Sequence, residues 1–270
     1  MLQLTFLKGI KSGYNASKTF VLDGATVRKV SNYDIGQTFY HNTEVIPLSH
    51  PHLCAVLSKR GVNRWFHIYG EPAKDLAQQV RRLKENFPEC LTRLLVMDID
   101  KYKLPPDIAA QWTDSTVATT TDIIQQVLKR LKLTPLVGVD FTYVLSSSQM
   151  NRSTLSAHLY FFLDKPVTLP DLRRWGRVMN KGYGSRIIDS SIYKSVQPVY
   201  ISAPVCTSFK DPFPQRIGNC LYGTPLVSVD ALKTLGFTMN RQPVPNNIDK
   251  GFSSYSKAVE STDKAIKKTW

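Results

Sequence analysis

The pattern of hydrophobic and polar positions predicts short strands alternating with a few amphipathic helices. Apolar residues recur every three or four positions in segments that begin near Pro72, Thr119 and Leu169, which favours helices there. Short apolar runs bounded by turn residues favour strands instead. These strands are expected at residues 19–22, 26–30, 53–57, 65–69, 94–100, 139–145, 155–163 and 199–202.

Composition indicates a soluble globular chain with a polyanionic partner. The 270 residues are 42% hydrophobic, which excludes wholesale disorder. No run of 18 apolar residues occurs and the N-terminus lacks a signal-peptide pattern, so we expect a cytoplasmic protein without a membrane partner. The net charge of +14 favours nucleic acid over an anionic membrane surface.

The hydrophobic pattern divides the chain into three parts. Residues 1–88 form an irregular N-terminal part, and residues 89–236 have the strongest periodicity of hydrophobic positions. Residues 237–270 form a basic polar tail or linker. The four cysteines form no CxxC pair, so we expect no zinc site.

Asp98 and Asp100 end the buried run at residues 94–100. Positions i and i+2 of a strand share one face, so the two carboxylates should lie side by side, roughly 6–7 Å apart at Cα. Two like charges there need a cation between them or a retained proton. Mg²⁺ or Mn²⁺ meets this need, since both prefer carboxylate oxygens. The competing interpretation is a solvated strand end paired with nearby lysines.

Ser156 and His158 also share one face of a very apolar predicted strand, and both side chains can donate to phosphate oxygens. A core histidine packed beside a serine is the alternative. Asp189 follows a third apolar run, where it is either a further metal ligand or a turn-capping residue.

The order of these motifs resembles the archaeo-eukaryotic primase (primase-polymerase) superfamily. A strand with Asp-x-Asp, a helix, a strand that ends in three serines, a strand with Ser-x-His and a later lone Asp follow each other over residues 90–210. The pattern is closest to replication primases of phages, plasmids and mobile elements. This resemblance implies an α/β (α+β) fold whose catalytic core is an RRM-like antiparallel sheet with flanking helices.

The resemblance also implies roles for individual residues. Asp98, Asp100 and Asp189 would be the catalytic residues and the ligands of two Mg²⁺ or Mn²⁺ ions. Ser156 and His158 would face the nucleotide triphosphate, and Arg152 and Lys194 are further candidates for holding it. The implied activity is two-metal nucleotidyl transfer that makes primers or extends DNA on a single-stranded template.

The expected partners are a single-stranded DNA template, a primer strand and NTPs or dNTPs in a bacterial host cell. A replicative helicase, fused or separate, is a further expected partner. Basic residues on two predicted helices are candidates for template binding, with solvated helix faces as the alternative: Arg81, Arg82, Arg173 and Arg174.

Two other functions stay open. A non-catalytic single-stranded-DNA or origin-binding protein on a primase-like fold would have the same charge and fold. A nicking endonuclease of the HUH type would use His50 and His52 for a metal and Tyr193 as nucleophile, but Pro51 would disrupt a strand there. Residues 13–19 faintly resemble a phosphate loop but lack its second glycine, so we do not expect an ATPase.

Overall fold

The computed structural model describes residues 1–183 and 186–241, and it shows the mixed α and β structure that the sequence predicts. The helices α1 to α5 of the described residues span His50–Val62, Pro106–Gln111, Val117–Arg130, Leu169–Tyr183 and Val229–Arg241. Short 3-10 helices cover Thr134–Leu136 and Ser190–Tyr193.

The strands of the described residues form three sheets. A five-stranded sheet, which we call the N-terminal sheet, contains β1 (Leu2–Gly9), β4 (Thr38–Ile46), β5 (Phe66–Ile68), β6 (Gln79–Arg81) and β10 (Val199–Tyr200). A three-stranded sheet contains β2 (Thr19–Asp23), β3 (Thr26–Ser31) and β11 (Val205–Cys206). A four-stranded sheet, the central sheet, contains β7 (Thr92–Lys103), β8 (Phe141–Leu145), β9 (Thr154–Val167) and β12 (Ile217–Cys220).

The central sheet is antiparallel, in the order β12-β8-β9-β7. Strand β9 lies antiparallel between β7 and β8, so those two strands run in the same direction and are joined through α2 and α3. After β9 the chain passes through α4 and returns to the free side of β7, where Ile188 forms an antiparallel bridge with Ile99. The chain order is therefore strand, helix, two strands, helix and bridge.

The two faces of the central sheet pack against different parts of the chain. One face carries Tyr143 and is covered by α3, whose apolar residues join the same core cluster as β8 and β9. The opposite face carries Asp98, His158 and Tyr160, since cross-strand partners share a face and positions two apart return to it. This second face is the polar face, and it meets the N-terminal half of the chain.

Two buried histidines join the N-terminal half to the polar face. His50 at the start of α1 makes a 3.0 Å hydrogen bond through Nδ1 with the hydroxyl of Thr142 on β8. His67 of β5 makes a 3.0 Å hydrogen bond through Nε2 with the hydroxyl of Tyr160 on β9. Burial lowers the pKa of His50 to about 4 and that of His67 to about 3, so both rings are neutral at pH 7.

A glycine lets α1 approach the chain segment that follows β10. A Cβ added at Gly61 would lie 2.8 Å from the carbonyl oxygen of Ile201. The hydroxyl of Ser202 donates to the Gly61 carbonyl at 3.0 Å in the same contact. The close approach therefore fixes the 201–202 segment, which comes directly after the N-terminal sheet, against the helix.

Most of the predicted elements are confirmed, with small shifts of their ends. Strands lie at every predicted position except 53–57, and the predicted helices that begin near Thr119 and Leu169 are α3 and α4. The cap of α3 is Thr116, whose hydroxyl accepts from the Thr119 N–H, rather than a residue of the 119–122 segment.

Two predicted elements are wrong. Residues 53–57 belong to α1, because Leu53 and Leu57 are buried one helical turn apart and Pro51 fits the first turn. The expected helix from Pro72 is a loop followed by β6, since Asp75 adopts a positive φ of 58° and Val80 pairs with β4. Short apolar runs suit either element, so periodicity alone did not decide between them.

The boundary expected near residue 88 does not separate the sheets. Strand β10 pairs with β5, and β11 pairs in parallel with β2, so the C-terminal half supplies a strand to each sheet of the first 88 residues. The tail expected from residue 237 lies, beyond Arg241, outside the described residues. Within the described part, no helix has both the length and the apolar character needed to cross a membrane.

We predict opposite stability effects for two helical glycines. Gly61→Ala should lower the free energy of unfolding by about 1–3 kcal/mol, because the new methyl group meets a backbone oxygen. Gly236→Ala in α5 should raise it by roughly 0.5–1 kcal/mol, since the nearest atom, on Trp175, is 3.7 Å away and alanine favours the helix. Urea denaturation measures both, and a stabilised Gly61→Ala variant would contradict the close packing.

We also predict a loss of stability between pH 6.5 and 4 that depends on His50. Its folded pKa lies below the ordinary value of 6.5, so the unfolded chain binds more protons in this range. The contribution is fully present above pH 6.5 and is lost as the pH falls toward 4. His50→Gln should reduce the slope of unfolding free energy against pH by up to about 1.4 kcal/mol per unit.

The exposed His52 of the same helical turn provides the matched control. His52→Gln should leave the slope unchanged in the same denaturation series. Equal slopes in the wild type and His50→Gln would show that the buried ring does not govern acid unfolding.

Candidate active site

Strand β7 is buried over residues 94–97, and the two predicted carboxylates follow this buried part. Residues 94–97 are all buried, Asp98 is half-buried and Asp100 is exposed. After Ile99 the register with β9 shifts, and Lys101 takes a positive φ of 54° in this bulge. A bulge bends its strand and ends the regular pairing, so it brings the acidic end of β7 out to solvent.

Asp98 and His158 are direct partners across β7 and β9. The Nε2 atom of His158 lies 3.3 Å from Oδ1 of Asp98, and both side chains are largely buried. The Nδ1 atom of the same ring is buried and has no hydrogen-bond partner among the described residues. The pair brings the Asp-x-Asp and Ser-x-His segments together in one place.

Asp189 is brought to the same place through its backbone. Its N–H donates to the carbonyl oxygen of Asp98 at 2.9 Å, beside the bridge that Ile188 makes with β7. Its carboxylate accepts from the Ser191 N–H at 2.9 Å and lies 2.7 Å from the Arg186 guanidinium. Burial alone would raise the pKa of Asp189, but these hydrogen bonds and the guanidinium outweigh burial and lower it.

The three aspartates have the chemistry, but not the observed placement, of ligands for a hard divalent cation. Three aspartates lie on two adjacent backbone segments, and carboxylate oxygens are the ligands that Mg²⁺ and Mn²⁺ prefer. In the described residues, no three acidic, histidine or cysteine side chains converge at ligating distance. The carboxylate of Asp189 faces Ser191 and Arg186, so it would have to turn from them to join Asp98 and Asp100.

Ser156 has a structural partner at this site. Its hydroxyl accepts from the Lys101 N–H at 2.9 Å, and its own N–H donates to the Gln149 side chain at 2.6 Å. The side chain is buried opposite the bulge. Ser156 therefore fixes the turned backbone that follows Asp100.

Lys18 is a site residue to which the sequence analysis gave no role. Its ammonium group donates to the hydroxyl of Ser148, in the serine run that follows β8. Ser146 of the same run donates its N–H to the Ser156 carbonyl at 2.9 Å, and Ser156 in turn holds the backbone that follows Asp100, so Lys18 lies near the acidic end of β7. Asp100 and Asp98 both raise its pKa, which agrees with this position. The sequence feature that could have drawn attention to Lys18 is the faint phosphate-loop pattern at residues 13–19. This pattern does not predict that Lys18 lies near Asp98 or Asp100.

The two cations that were expected at the triphosphate, Arg152 and Lys194, lie on the surface. The Arg152 guanidinium lies over the ring of Phe213, 5.6 Å from its centroid, and also interacts with Asp114. Lys194 is exposed and directly follows the 3-10 helix that begins after Asp189. No contact described for either residue reaches Asp98 or Asp100.

The four arginines expected at the template differ in exposure. Arg81 lies exposed at the end of β6 and Arg174 lies exposed on α4. Arg82 is half-buried and donates to the Val196 carbonyl, while Arg173 donates to the Tyr193 carbonyl at 2.7 Å. Arg81 and Arg82 do not lie on a helix, so the expected basic helix face is absent from the described N-terminal half.

The residues expected for a nicking enzyme do not form a site. His50 and His52 lie in the first turn of α1 rather than on a strand, and His50 is buried against Thr142. The hydroxyl of Tyr193 is buried and donates to the Val96 carbonyl at 2.8 Å. His50 and Tyr193 are therefore buried and hydrogen-bonded within the fold, while His52 is exposed.

Comparison with known proteins identifies no relative. The chain matches no protein-family model, no curated protein and no solved structure.

We predict that Ser156→Ala lowers the free energy of unfolding by about 1 kcal/mol, because the Lys101 N–H loses its acceptor in a strained turn. The matched control is Ser153→Ala, which removes an exposed hydroxyl at the start of the same strand connection. The control should change stability by no more than about 0.5 kcal/mol. If both variants lose the same free energy of unfolding in urea denaturation, the hydrogen bond from the Lys101 N–H to Ser156 does not contribute to stability.

Proposed function

We propose that this chain is a template-dependent nucleotidyltransferase of the primase-polymerase type. The observation that carries the proposal is the backbone hydrogen bond from Asp189 to Asp98, beside the pair of Asp98 and His158. Three segments far apart in the sequence thereby come together, which supports a common site for the three motifs. Chance matches of short motifs would not bring the three together.

The topology of the central sheet gives independent support. An RRM-like core follows the order β-α-β-β-α-β, with its first and third strands adjacent in the middle. Here β7 and β9 are the adjacent pair, β8 lies outside β9, and the bridge at Ile188 stands in the place of the last strand. Asp98 then lies on the face opposite α3, and Asp100 lies at the exposed end of the same strand, where a metal and a nucleotide could reach it.

The chemistry proposed for this face is two-metal nucleotidyl transfer. Asp98, Asp100 and Asp189 would hold Mg²⁺ or Mn²⁺, which activates a 3′-hydroxyl as nucleophile and stabilises the pyrophosphate leaving group. The protein's own part is to fix the carboxylates on paired backbone and to balance their charge. Arg186 does so for Asp189, and its flexible exposed side chain can leave when other cations take its place.

The polar face also supplies groups for the nucleotide. His158 has one ring nitrogen beside Asp98 and a second that is buried without a partner in the described residues, so the ring would have to turn before a phosphate oxygen could reach the second nitrogen. Ser156 supports the turn beneath it rather than presenting a free hydroxyl. The net charge of +14 favours a DNA template and primer as the second substrate.

We predict that Asp98→Asn and Asp189→Asn each lower the rate of nucleotide addition on the order of a thousandfold, because each removes a charged metal ligand. The measurement is incorporation of labelled NTPs and dNTPs on a single-stranded DNA template with Mg²⁺ or Mn²⁺. Lanes without a primer show whether the enzyme starts chains or only extends them.

The matched control is Asp75→Asn, which removes an exposed carboxylate at a positive φ that asparagine also adopts. This control should keep wild-type activity, and melting curves should show that all variants fold. Products that persist in the Asp98→Asn variant would contradict the proposed site. Single-stranded DNA binding by a folded wild type that makes no product would favour the non-catalytic DNA-binding function.

A further inference from the structure

A tied loop holds Lys18 at the acidic end of β7. The hydroxyl of Ser17 donates to the Ala203 carbonyl at 2.6 Å. On the other side of the loop, the Asn15 N–H donates to the Asp34 carboxylate at 2.7 Å, and the Asp34 N–H donates to the Asn15 carbonyl at 2.9 Å. The backbone that carries Lys18 is therefore fixed on both sides.

The side chain of Lys18 is also held by its own contacts. Its ammonium donates to Ser148 and lies 5.3 Å from the centroid of the Tyr33 ring, a cation–π distance. Tyr33 in turn stacks on Tyr200, with centroids 3.8 Å apart and planes within 3° of parallel. The cation is thus ordered without a ligand, which reduces the entropy lost when one binds.

The position of Lys18 has an electrostatic consequence. Burial lowers its pKa, the carboxylates of Asp100 and Asp98 act in the opposite direction, and the nearby cation of Lys101 adds to the lowering. A nucleoside triphosphate cannot approach these carboxylates unless cations offset the repulsion. Lys18 is a cation of the protein at this place, and an ammonium with three donors can bind Ser148 and a phosphate oxygen together.

We propose that Lys18 binds the polyphosphate of the incoming nucleotide at the acidic site, an inference that rests on the nucleotidyltransferase function proposed above. The phosphate-loop-like segment at 13–19 then has a role, which is to carry one phosphate-binding lysine to β7. Lys18 takes the place that the sequence assigned to Arg152 and Lys194.

The test is nucleotide and metal binding by the full chain, without turnover. Calorimetry with Mg²⁺ measures the affinities of ATP, dATP and AMP for the wild type, Lys18→Met and Lys18→Arg. Lys18→Met should weaken ATP and dATP binding about tenfold, the size expected for one charge-assisted hydrogen bond, and AMP binding much less. Lys18→Arg should recover most of the affinity, because it restores the positive charge.

The affinity for Mn²⁺ should not fall when the affinity for triphosphates does. Lys18→Met should bind Mn²⁺ alone at least as tightly as the wild type, since it removes a positive charge beside the carboxylates. Electron paramagnetic resonance of free Mn²⁺ measures this without nucleotide. A purely structural role for Lys18 would instead weaken Mn²⁺ and triphosphate binding together.

Lys11→Met, which changes an exposed lysine in the chain segment before the loop, is the matched control and should bind all ligands as the wild type does. If Lys18→Met binds ATP and dATP as tightly as the wild type, the inference is wrong and the proposed function stands. Parallel losses for triphosphates, AMP and Mn²⁺ also overturn it. A wild type that binds neither triphosphate contradicts the proposed function itself.

Discussion

The candidate site depends on one backbone hydrogen bond, from the N–H of Asp189 to the carbonyl oxygen of Asp98. It joins two acidic segments separated by about 90 residues of chain, and it extends the central sheet past β7 by a single bridge. Because it is a backbone contact, it fixes the spacing of the two Cα atoms whatever their carboxylates do.

Charge balance explains why the site draws on so many parts of the chain. Asp98 and Asp100 lie close together at the end of a buried strand, where their repulsion is costly unless cations lie nearby. Arg186 comes from the segment before Asp189 and Lys18 from the N-terminal loop, while the neighbouring strand supplies the imidazole of His158 as a partner for Asp98. The N-terminal half is therefore part of the site, and the buried histidines of α1 and β5 hold it on the polar face.

The sequence was sufficient to predict a secondary-structure element where the local hydrophobic pattern and the tertiary contacts favour the same element. The run that ends in Asp98 and Asp100 is hydrophobic on both faces, so a buried strand suits it, and residues 94–97 are buried although β7 is the last strand of the central sheet. The segments at 53–57 and 72–83 were misassigned, because their apolar spacing suits either element and their partners are distant in sequence. Leu53 is buried as part of a helix, and β6 exists because β4 offers a free edge.

The sequence by itself determined which residues carry charge, which strands are buried, and that Asp98, Asp100, Ser156 and His158 share strand faces in pairs. Those facts follow from strand geometry, in which alternate side chains return to one face. Only the tertiary structure decided that the two pairs meet, that Ser156 supports the bulge, and that Lys18 lies among the acidic residues. These are contacts between segments up to 130 residues apart, and no local periodicity records them.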